Sequence, residues 1–320
     1  VIGKLLDLAD GQPSYDSCPT TPTAWPLSPT AMRTILLGIT AAFLRDRERL
    51  NECLTRYNAC AMGSTVLNGT GWPLNREAMA VRLGFPAPRR NAFDATCMSP
   101  ADMPFELASI NASAALHVGS FISDVMVQYA QPRPWILLQE GGENTYVSSA
   151  MPQKRNPGLM INTRAAASDV IGQAQTVILK AHNIPPGMSD PKSVSANAKL
   201  ANDTSALLKQ FTRVIKALRV NPERALEELN SDWTASQEVA DVLMREYKLP
   251  FRVGHHVASH IVTYARNNNL SPTNFPYEQV KKIYAEVIKS EYPQGNPVCP
   301  MSEQEFRDTS IPPRLLPTQD

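Results

Sequence analysis

Three stretches in which apolar residues recur every three to four positions constrain the fold of this chain most. They run over about residues 30–60, 103–129 and 159–183, and a fourth, over about 203–230, carries a kink near Asn221-Pro222. Residues spaced in this way share one face of an α-helix. The alternation of apolar and polar residues that indicates strands is almost absent. We therefore predict an all-α protein built on a long central helical bundle.

Proline-rich segments mark the limits of the predicted regions. Five prolines interrupt helix formation within residues 10–29, and several more after Glu291 predict a tail that extends over the surface. The amphipathic pattern is already running at residue 1, which suggests the end of a helix that starts earlier. We predict an incomplete N-terminal region and loop over 1–29, a central helical bundle domain over 30–230, and a small C-terminal helical domain with a tail over 231–320.

Charge and cysteine content exclude several function classes. Lys and Arg (31) nearly balance Asp and Glu (30), and the net charge of +1 gives no global attraction to nucleic acids or membranes. No uncharged apolar run reaches the roughly 18 residues that a membrane span needs. The five cysteines lack close pairs, so we interpret them as free thiols of a reducing compartment and expect a cytoplasmic protein.

Charged and histidine side chains inside the helical stretches have simple structural interpretations. The run from Arg45 to Arg49 is typical of a solvated helix face, and His117 is typical of a satisfied core or interface histidine. His255, His256 and His260 share a helix face, but no further ligands follow at fixed spacing. We predict no metal site there.

A polar loop over residues 140–157 precedes the third helical stretch. It contains the paired hydroxyls of Ser148 and Ser149, the cation of Lys154 and the amide of Asn156. Backbone N–H groups at the start of a helix favour anions, so such a loop is suited to hold one. Loop composition alone leaves a functional site and an ordinary turn about equally favoured.

The residues from Ser148 to Pro157 read Ser-Ser-Ala-Met-Pro-Gln-Lys-Arg-Asn-Pro, which resembles the signature of the aspartase/fumarase superfamily. The family usually has Gly before the serines, where this chain has Val147. The block over 62–77 resembles a Gly-Ser-x-x-x-x-Gly-Thr segment of argininosuccinate lyases, and we predict that this block, with Thr70, lines or supports a site. Asn91 to Ala95, and later the segment over 233–256, resemble other parts of the same lyases.

The resemblance implies a homotetramer whose central bundle is shared and whose active sites combine loops of three subunits. It also implies β-elimination that leaves fumarate, without a cofactor. Ser149 matches the base serine of the family. Substrate carboxylates and the reaction intermediate are assigned to Ser148, Lys154, Asn156 and the backbone of Met151, and the Gly141-Gly142 pair is predicted to be a hinge.

Two departures from the family pattern concern the remaining half of the site. The Thr-His-x-Gln element that carries the acid side is replaced by a loop in which Tyr15, Asp16 and Ser17 are the only weak substitutes. After Ile184-Pro185, the substrate-binding residues of argininosuccinate lyases are not reproduced, and Lys192 is the candidate that remains. The physiological proton donor therefore stays open.

These residues favour a carbon–nitrogen lyase that acts on an N-substituted aspartate, such as an aminopolycarboxylate of the ethylenediamine-disuccinate type. The partner is then a small dicarboxylate or amino-acid substrate. Argininosuccinate lyase proper is the first alternative. A non-catalytic, crystallin-like homologue is the second, although retention of Ser149, Lys154 and Asn156 together argues against it.

Overall fold

The computed structural model describes residues 1–10, 17–19, 29–65 and 67–311; of 17–19 and 29–31, and of Pro191, only the backbone is described. Helices account for most of these residues. They are α1 (Ile2–Asp10), α2 (Met32–Tyr57), α3 (Arg76–Arg82), α4 (Ser99–Tyr129), α5 (Gly158–Ala181), α6 (Val194–Ala217), α7 (Pro222–Ser231), α8 (Ser236–Arg245), α9 (Phe251–Asn267), α10 (Tyr277–Glu291) and α11 (Glu303–Ser310).

The strands in the described part of the chain are two or three residues long. They are β1 (Ser17–Pro19), β2 (Pro29–Ala31), β3 (Ile136–Leu138), β4 (Tyr146–Val147), β5 (Arg155–Asn156) and β6 (Leu218–Val220). A π-helical turn over Asp94–Met98 leads into α4, and a 3-10 turn over Asp190–Lys192 precedes α6. The all-α prediction is confirmed.

The chain forms two compact units. The first comprises Val1–Leu8, Leu36–Met126 and Leu138–Leu218; the second comprises Ala9–Ile35, Val127–Leu137 and Arg219–Asp320. The domain limits predicted from the sequence stay a prediction.

Aromatic and small side chains form the core of the first unit. Phe211 of α6 is fully buried, with its ring centroid 5.8 Å from that of Phe43 in α2 and 5.4 Å from that of Phe121 in α4. On α5 the small residues Ala167 and Ala174 are buried. Small side chains allow two helix backbones to approach closely, which suits the packing of α5 against α6.

The helix formed by the π-helical turn and α4, Asp94–Tyr129, is long and apolar enough to cross a membrane by length and composition. Core helices of water-soluble proteins meet the same criterion. Ala108, Val118 and Ile122 on this helix are fully buried in the structure. We therefore interpret it as a core helix of the first unit.

The predicted kinked helix over 203–230 is wrong in detail. The structure has two helices there, α6 and α7, with β6 between them. Helix α6 begins at Val194, nine residues before the predicted start, and Ser193 caps it, since its Oγ accepts a hydrogen bond from Ala196 N at 3.4 Å. Pro222 disfavours the helical conformation for the residue before it and opens α7 as its first residue, with Asn221 as its cap.

The second unit has its own core around Trp233 and Phe275, whose ring centroids lie 5.2 Å apart with the planes nearly perpendicular. The extended tail predicted after Glu291 is wrong where the structure describes it, because α11 follows. Ser302 and Glu305 form a capping box at its start, and Phe306 is buried in the core. Residues 312–320 lie outside the described residues.

Candidate active site

The polar loop over 140–157 contains a short β-hairpin in the first unit. Strands β4 and β5 pair antiparallel, with Tyr146 opposite Asn156 and Val147 opposite Arg155. The backbone N–H of Ser148 donates to the carbonyl of Lys154 at 3.1 Å, which extends the ladder by one step. The residues assigned from the family signature are thus brought together on one hairpin, directly before the first turn of α5.

Ser148 shapes the tip of this hairpin. Its Oγ accepts hydrogen bonds from the backbone N–H groups of Ala150 at 3.4 Å and Met151 at 3.2 Å. Lys154 N in turn donates to the carbonyl of Met151 at 3.0 Å. The Met151 N–H that the sequence assigns to substrate is therefore occupied by the Ser148 hydroxyl in this state.

The two reactive side chains of the hairpin point to solvent. Ser149 and Lys154 are both exposed. Within the described ranges, neither the Ser149 hydroxyl nor the Lys154 ammonium has a hydrogen-bond or ion-pair partner. Asn156 lies at the base of β5 and is half-buried. A hydroxyl and a cation are therefore available to an incoming anion without first breaking a protein contact.

Arg155 holds the hairpin from its other side. Successive strand residues face opposite sides, so Arg155 projects away from Asn156. Its Nε donates to Glu140 Oε2 at 3.2 Å and its Nη1 to the carbonyl of Pro152 at 2.6 Å. The guanidinium thus connects the hairpin tip to the segment that enters the loop.

A left-handed turn joins this segment to the hairpin. Gly141, Gly142 and Glu143 have φ values of 83°, 56° and 67°, a conformation that glycine adopts at little cost. Asn144 fixes the end of the turn, because its carbonyl accepts from Leu159 N at 3.1 Å and its Nδ2 donates to the carbonyl of Gln139 at 3.1 Å. The predicted Gly141-Gly142 hinge is therefore a turn with fixed ends, and its motion stays a prediction.

The block over 62–77 is organised by Arg76, which opens α3. Its guanidinium donates to three carbonyls, those of Met62 at 3.1 Å, Arg89 at 2.7 Å and Arg90 at 3.3 Å. Gly63 has a φ of 77° and lies against the Arg76 side chain, where a Cβ would be 3.1 Å from Cγ. The glycines and arginine of this motif thus support the loop structurally.

Replacing Arg76 with alanine is expected to lower the free energy of unfolding by about 1–2 kcal/mol, because three carbonyls lose a charged donor. Lysine should recover less than half of this loss, since an ammonium cannot reproduce the planar fork. Urea-induced unfolding followed by tryptophan fluorescence measures both values. Equal stability of the Arg76→Lys variant and the native protein would contradict the proposal that the planar guanidinium is needed to reach all three carbonyls.

Thr70 and Lys192 make local hydrogen bonds. Thr70 Oγ1 accepts from Trp72 N at 3.1 Å, and Lys192 Nζ donates to the carbonyl of Gly187 at 3.2 Å. A Cβ on Gly187 would lie 3.6 Å from Leu67 Cδ2, so the turn before α6 packs on the 62–77 block. Their substrate-binding roles stay predictions.

The segment between this block and α4 is tied to Asp94. Its N–H donates to Asn91 Oδ1 at 3.0 Å, and its Oδ1 accepts from Ser99 Oγ at 2.9 Å. Arg89 lies 3.6 Å from the other carboxylate oxygen. Burial raises the pKa of the neighbouring Asp102 carboxyl, and the negative charge of Asp94 adds to this increase. These contacts explain the Asn-x-x-Asp pattern as a helix start.

The candidates for the proton donor are Tyr15, Asp16 and Ser17, and the side chains of all three lie outside the described part of the structure. Tyr15 and Asp16 lie outside the described residues. Ser17 is described through its backbone alone, as the first residue of β1 opposite Ala31.

Two family models match separate parts of the chain. A lyase family model matches residues 28–172, and a model of the argininosuccinate lyase C-terminal region matches residues 233–294; together they cover more than half of the chain. The chain belongs to the aspartase/fumarase superfamily. An argininosuccinate lyase of Hyphomonas neptunium is 27% identical over 261 residues, which is 80% of this chain and 55% of that protein. This superfamily chain thus spans about half the length of that curated relative.

Solved structures of the superfamily share the fold. A variant of EDDS lyase with bound fumarate has a TM-score of 0.82 at 20% identity, covering 97% of this chain and 60% of that one. A class II fumarase from Schistosoma mansoni has a TM-score of 0.70 at 16% identity, covering 97% and 64%.

Two features of the site were missed in the sequence. The ring of Tyr146 lies on Gly158, and Arg155 bonds to Glu140 across the loop. The first contact joins residues 12 positions apart and the second joins residues 15 positions apart. Helix and strand periodicities relate only residues that are a few positions apart, so they do not predict such contacts. The predicted loop carries no local signal in the sequence for either contact.

Proposed function

We propose that this chain contributes the base and the carboxylate-binding half of a carbon–nitrogen lyase site, which eliminates an amine from an N-substituted aspartate to give fumarate. One observation carries the proposal. The hairpin presents the Ser149 hydroxyl and the Lys154 ammonium to solvent without protein partners in the described part of the chain, and Asn156 lies on the same hairpin, opposite Tyr146. A loop with only a structural role would use such groups in contacts of its own.

The reaction requires removal of a weakly acidic proton. A base takes the proton from the carbon next to one carboxylate, and that carboxylate then carries the developing negative charge. The electron pair forms the carbon–carbon double bond while the carbon–nitrogen bond breaks, and the amine leaves with a proton from an acid. Prearranged donors around the carboxylate lower the barrier because they stabilise this charge.

Ser149 is the proposed base in this scheme. A serine hydroxyl is a poor base unless its oxyanion is stabilised, and the Lys154 ammonium on the same hairpin is the cation that supplies this field. Asn156 and Ser148 are proposed to bind the carboxylates. The Ala150 and Met151 N–H groups now donate to Ser148 Oγ, so a substrate carboxylate would take the place of that oxygen.

The amine half of the substrate is proposed from what the chain lacks. After Ile184-Pro185 the chain has Pro186-Gly187, where argininosuccinate lyases have substrate-binding residues. Lys192, the candidate that remains, donates a hydrogen bond to the carbonyl of Gly187. This favours an aminopolycarboxylate of the ethylenediamine-disuccinate type, and a structurally similar EDDS lyase variant is described with bound fumarate. The relative from Hyphomonas neptunium supports argininosuccinate as the alternative substrate.

The assembly is proposed from the family alone. We propose a cytoplasmic homotetramer in which loops of other subunits complete the site and supply the acid. Size-exclusion chromatography with light scattering tests the tetramer.

Fumarate release, followed by ultraviolet absorbance, tests the function. The full-length protein is supplied in turn with ethylenediamine-disuccinate, argininosuccinate, aspartate and malate. We expect release from the first, with a kcat/KM above about 10³ M⁻¹s⁻¹, and little release from aspartate or malate, whose leaving groups are ammonia and water.

The panel distinguishes the alternatives. Faster release from argininosuccinate would replace the proposed substrate with the alternative one. No fumarate from any of the four compounds would contradict the enzymatic proposal and favour a non-catalytic homologue.

A further inference from the structure

The contact between Tyr146 and Gly158 is the feature of the hairpin that the proposed chemistry does not yet use. Gly158 is the first residue of α5 and is buried. A Cβ built on it would lie 2.9 Å from Tyr146 Cδ1, closer than real Cβ atoms approach, and 3.2 Å from Cε1, which is a tight contact. The tyrosine ring therefore lies directly on the backbone of the helix, in a position open only because residue 158 is glycine.

This contact lies between the left-handed turn and the serines. The turn ends at Glu143, the ring contact follows at Tyr146, and Ser148 and Ser149 come directly after β4. Tyr146 is also the residue opposite Asn156 in the register. If the ring is displaced together with the Tyr146 backbone, the base of both strands moves, and with it the residues assigned to the site on this hairpin.

Val147 makes this contact more important. A β-branched residue restricts the backbone next to the serines, where the family usually has glycine. Bending close to the serines is then unfavourable, so the predicted motion about the Gly141-Gly142 turn would carry the hairpin as one piece. A hairpin that is connected to the protein at one end needs a further contact to define its position, and the contact of Tyr146 with Gly158 is one such contact.

We propose that Tyr146 is a positioning residue, whose ring rests on Gly158 and sets the distance between the hairpin and α5. The inference rests on the proposed function, since the position matters through Ser149. The phenol hydroxyl takes no part, because the contact is made by the ring carbons Cδ1 and Cε1. A displacement of about 1 Å in a reacting group is enough to lower a rate about 100-fold.

The test compares four variants of the full protein by fumarate release from the best substrate of the panel. We expect Tyr146→Ala and Gly158→Ala each to lower kcat about 10- to 100-fold, the first by removing the ring and the second by displacing it. Tyr146→Phe should stay within about twofold of the native kcat, because it keeps the ring. Gly172→Ala is the matched control, since it lies in the same helix with no atom within 4 Å of an added Cβ.

Trypsin provides a readout that does not require activity. Lys154 and Arg155 lie in the hairpin, and cleavage after either reports how readily it leaves its position. The cleavage rate there should rise about tenfold in Tyr146→Ala and Gly158→Ala and stay unchanged in Tyr146→Phe and Gly172→Ala. Thermal unfolding should change little in Tyr146→Ala, because the residue is 56% exposed.

The outcomes separate this inference from the proposed function. If the native protein releases no fumarate, the function fails, while the cleavage rates still test the position of the hairpin. If it is active and Gly158→Ala keeps the native kcat and cleavage rate, the positioning role is overturned. A loss in Tyr146→Phe as large as in Tyr146→Ala would also overturn it, since the hydroxyl would then be the important group.

Discussion

Replacing Ser149 with alanine is expected to lower fumarate release by about a thousandfold or more, because no other oxygen takes its place as the base. The fold should be unaffected. Ser149 is exposed and has no hydrogen-bond partner in the described ranges, so the free energy of unfolding should change by less than about 0.5 kcal/mol. Single-turnover kinetics at saturating substrate measures the chemical step directly.

Ser148→Ala is the comparison variant for this prediction. Its Oγ accepts two backbone hydrogen bonds at the hairpin tip, so its loss should loosen the turn and raise KM along with a smaller decrease in kcat. The two serines are adjacent and chemically identical, which makes the difference between the variants informative. A Ser149→Ala protein that retains the native rate would remove the base role from Ser149.

The periodicity of apolar residues located the long helices because their packing is local in sequence. The predicted stretches over 30–60, 103–129 and 159–183 correspond to α2, α4 and α5, with ends displaced by up to four residues. The failures have local signals that were overlooked. Ser193 caps α6, and Ser302 with Glu305 forms the capping box of α11. Both caps follow a proline by two residues, Pro191 and Pro300, and prolines are typical of irregular segments.

The candidate site was predictable to the extent that it is one continuous motif. Ser148 to Asn156 could be identified as a unit, and the hairpin now shows why its members lie together. The supporting contacts could not be predicted in the same way. Arg76 reaches the carbonyls of Arg89 and Arg90, because the chain path brings them together in space, and no spacing rule encodes that path.

The charge run from Arg45 to Arg49 shows where a local interpretation fails. The pattern predicted a solvated helix face, which is wrong for Asp46, because its side chain is only 7% exposed. The carboxylate lies between α2 and α4. There it accepts hydrogen bonds from Ser113 Oγ at 2.8 Å and Arg49 Nη1 at 2.9 Å on Oδ1, and lies 2.8 Å from His117 Nδ1 through Oδ2. His117 is a satisfied core histidine, as predicted.

The composition of this cluster explains its tolerance of a buried charge. An ionised carboxylate only accepts hydrogen bonds, so the His117 nitrogen that faces it must carry the hydrogen. Three donors then surround two oxygens, and the imidazole ring also packs edge-on against Phe43 with centroids 5.7 Å apart. Hydrogen bonds from three donors offset the cost of removing the carboxylate from water, a cost that a buried carboxylate without donors would bear in full.

Replacing Asp46 with alanine is therefore expected to lower the free energy of unfolding by about 3 kcal/mol, because His117 and Ser113 keep their places without an acceptor. Glu48→Ala is the matched control: it removes a carboxylate from the exposed face of the same helix, and should change stability by less than about 0.5 kcal/mol. Urea-induced unfolding measures both. Removing His117 as well should restore part of the loss, since the double variant no longer buries an unpaired imidazole nitrogen. Equal stabilities of Asp46→Ala and Glu48→Ala would show that the cluster contributes nothing to the packing of α2 on α4.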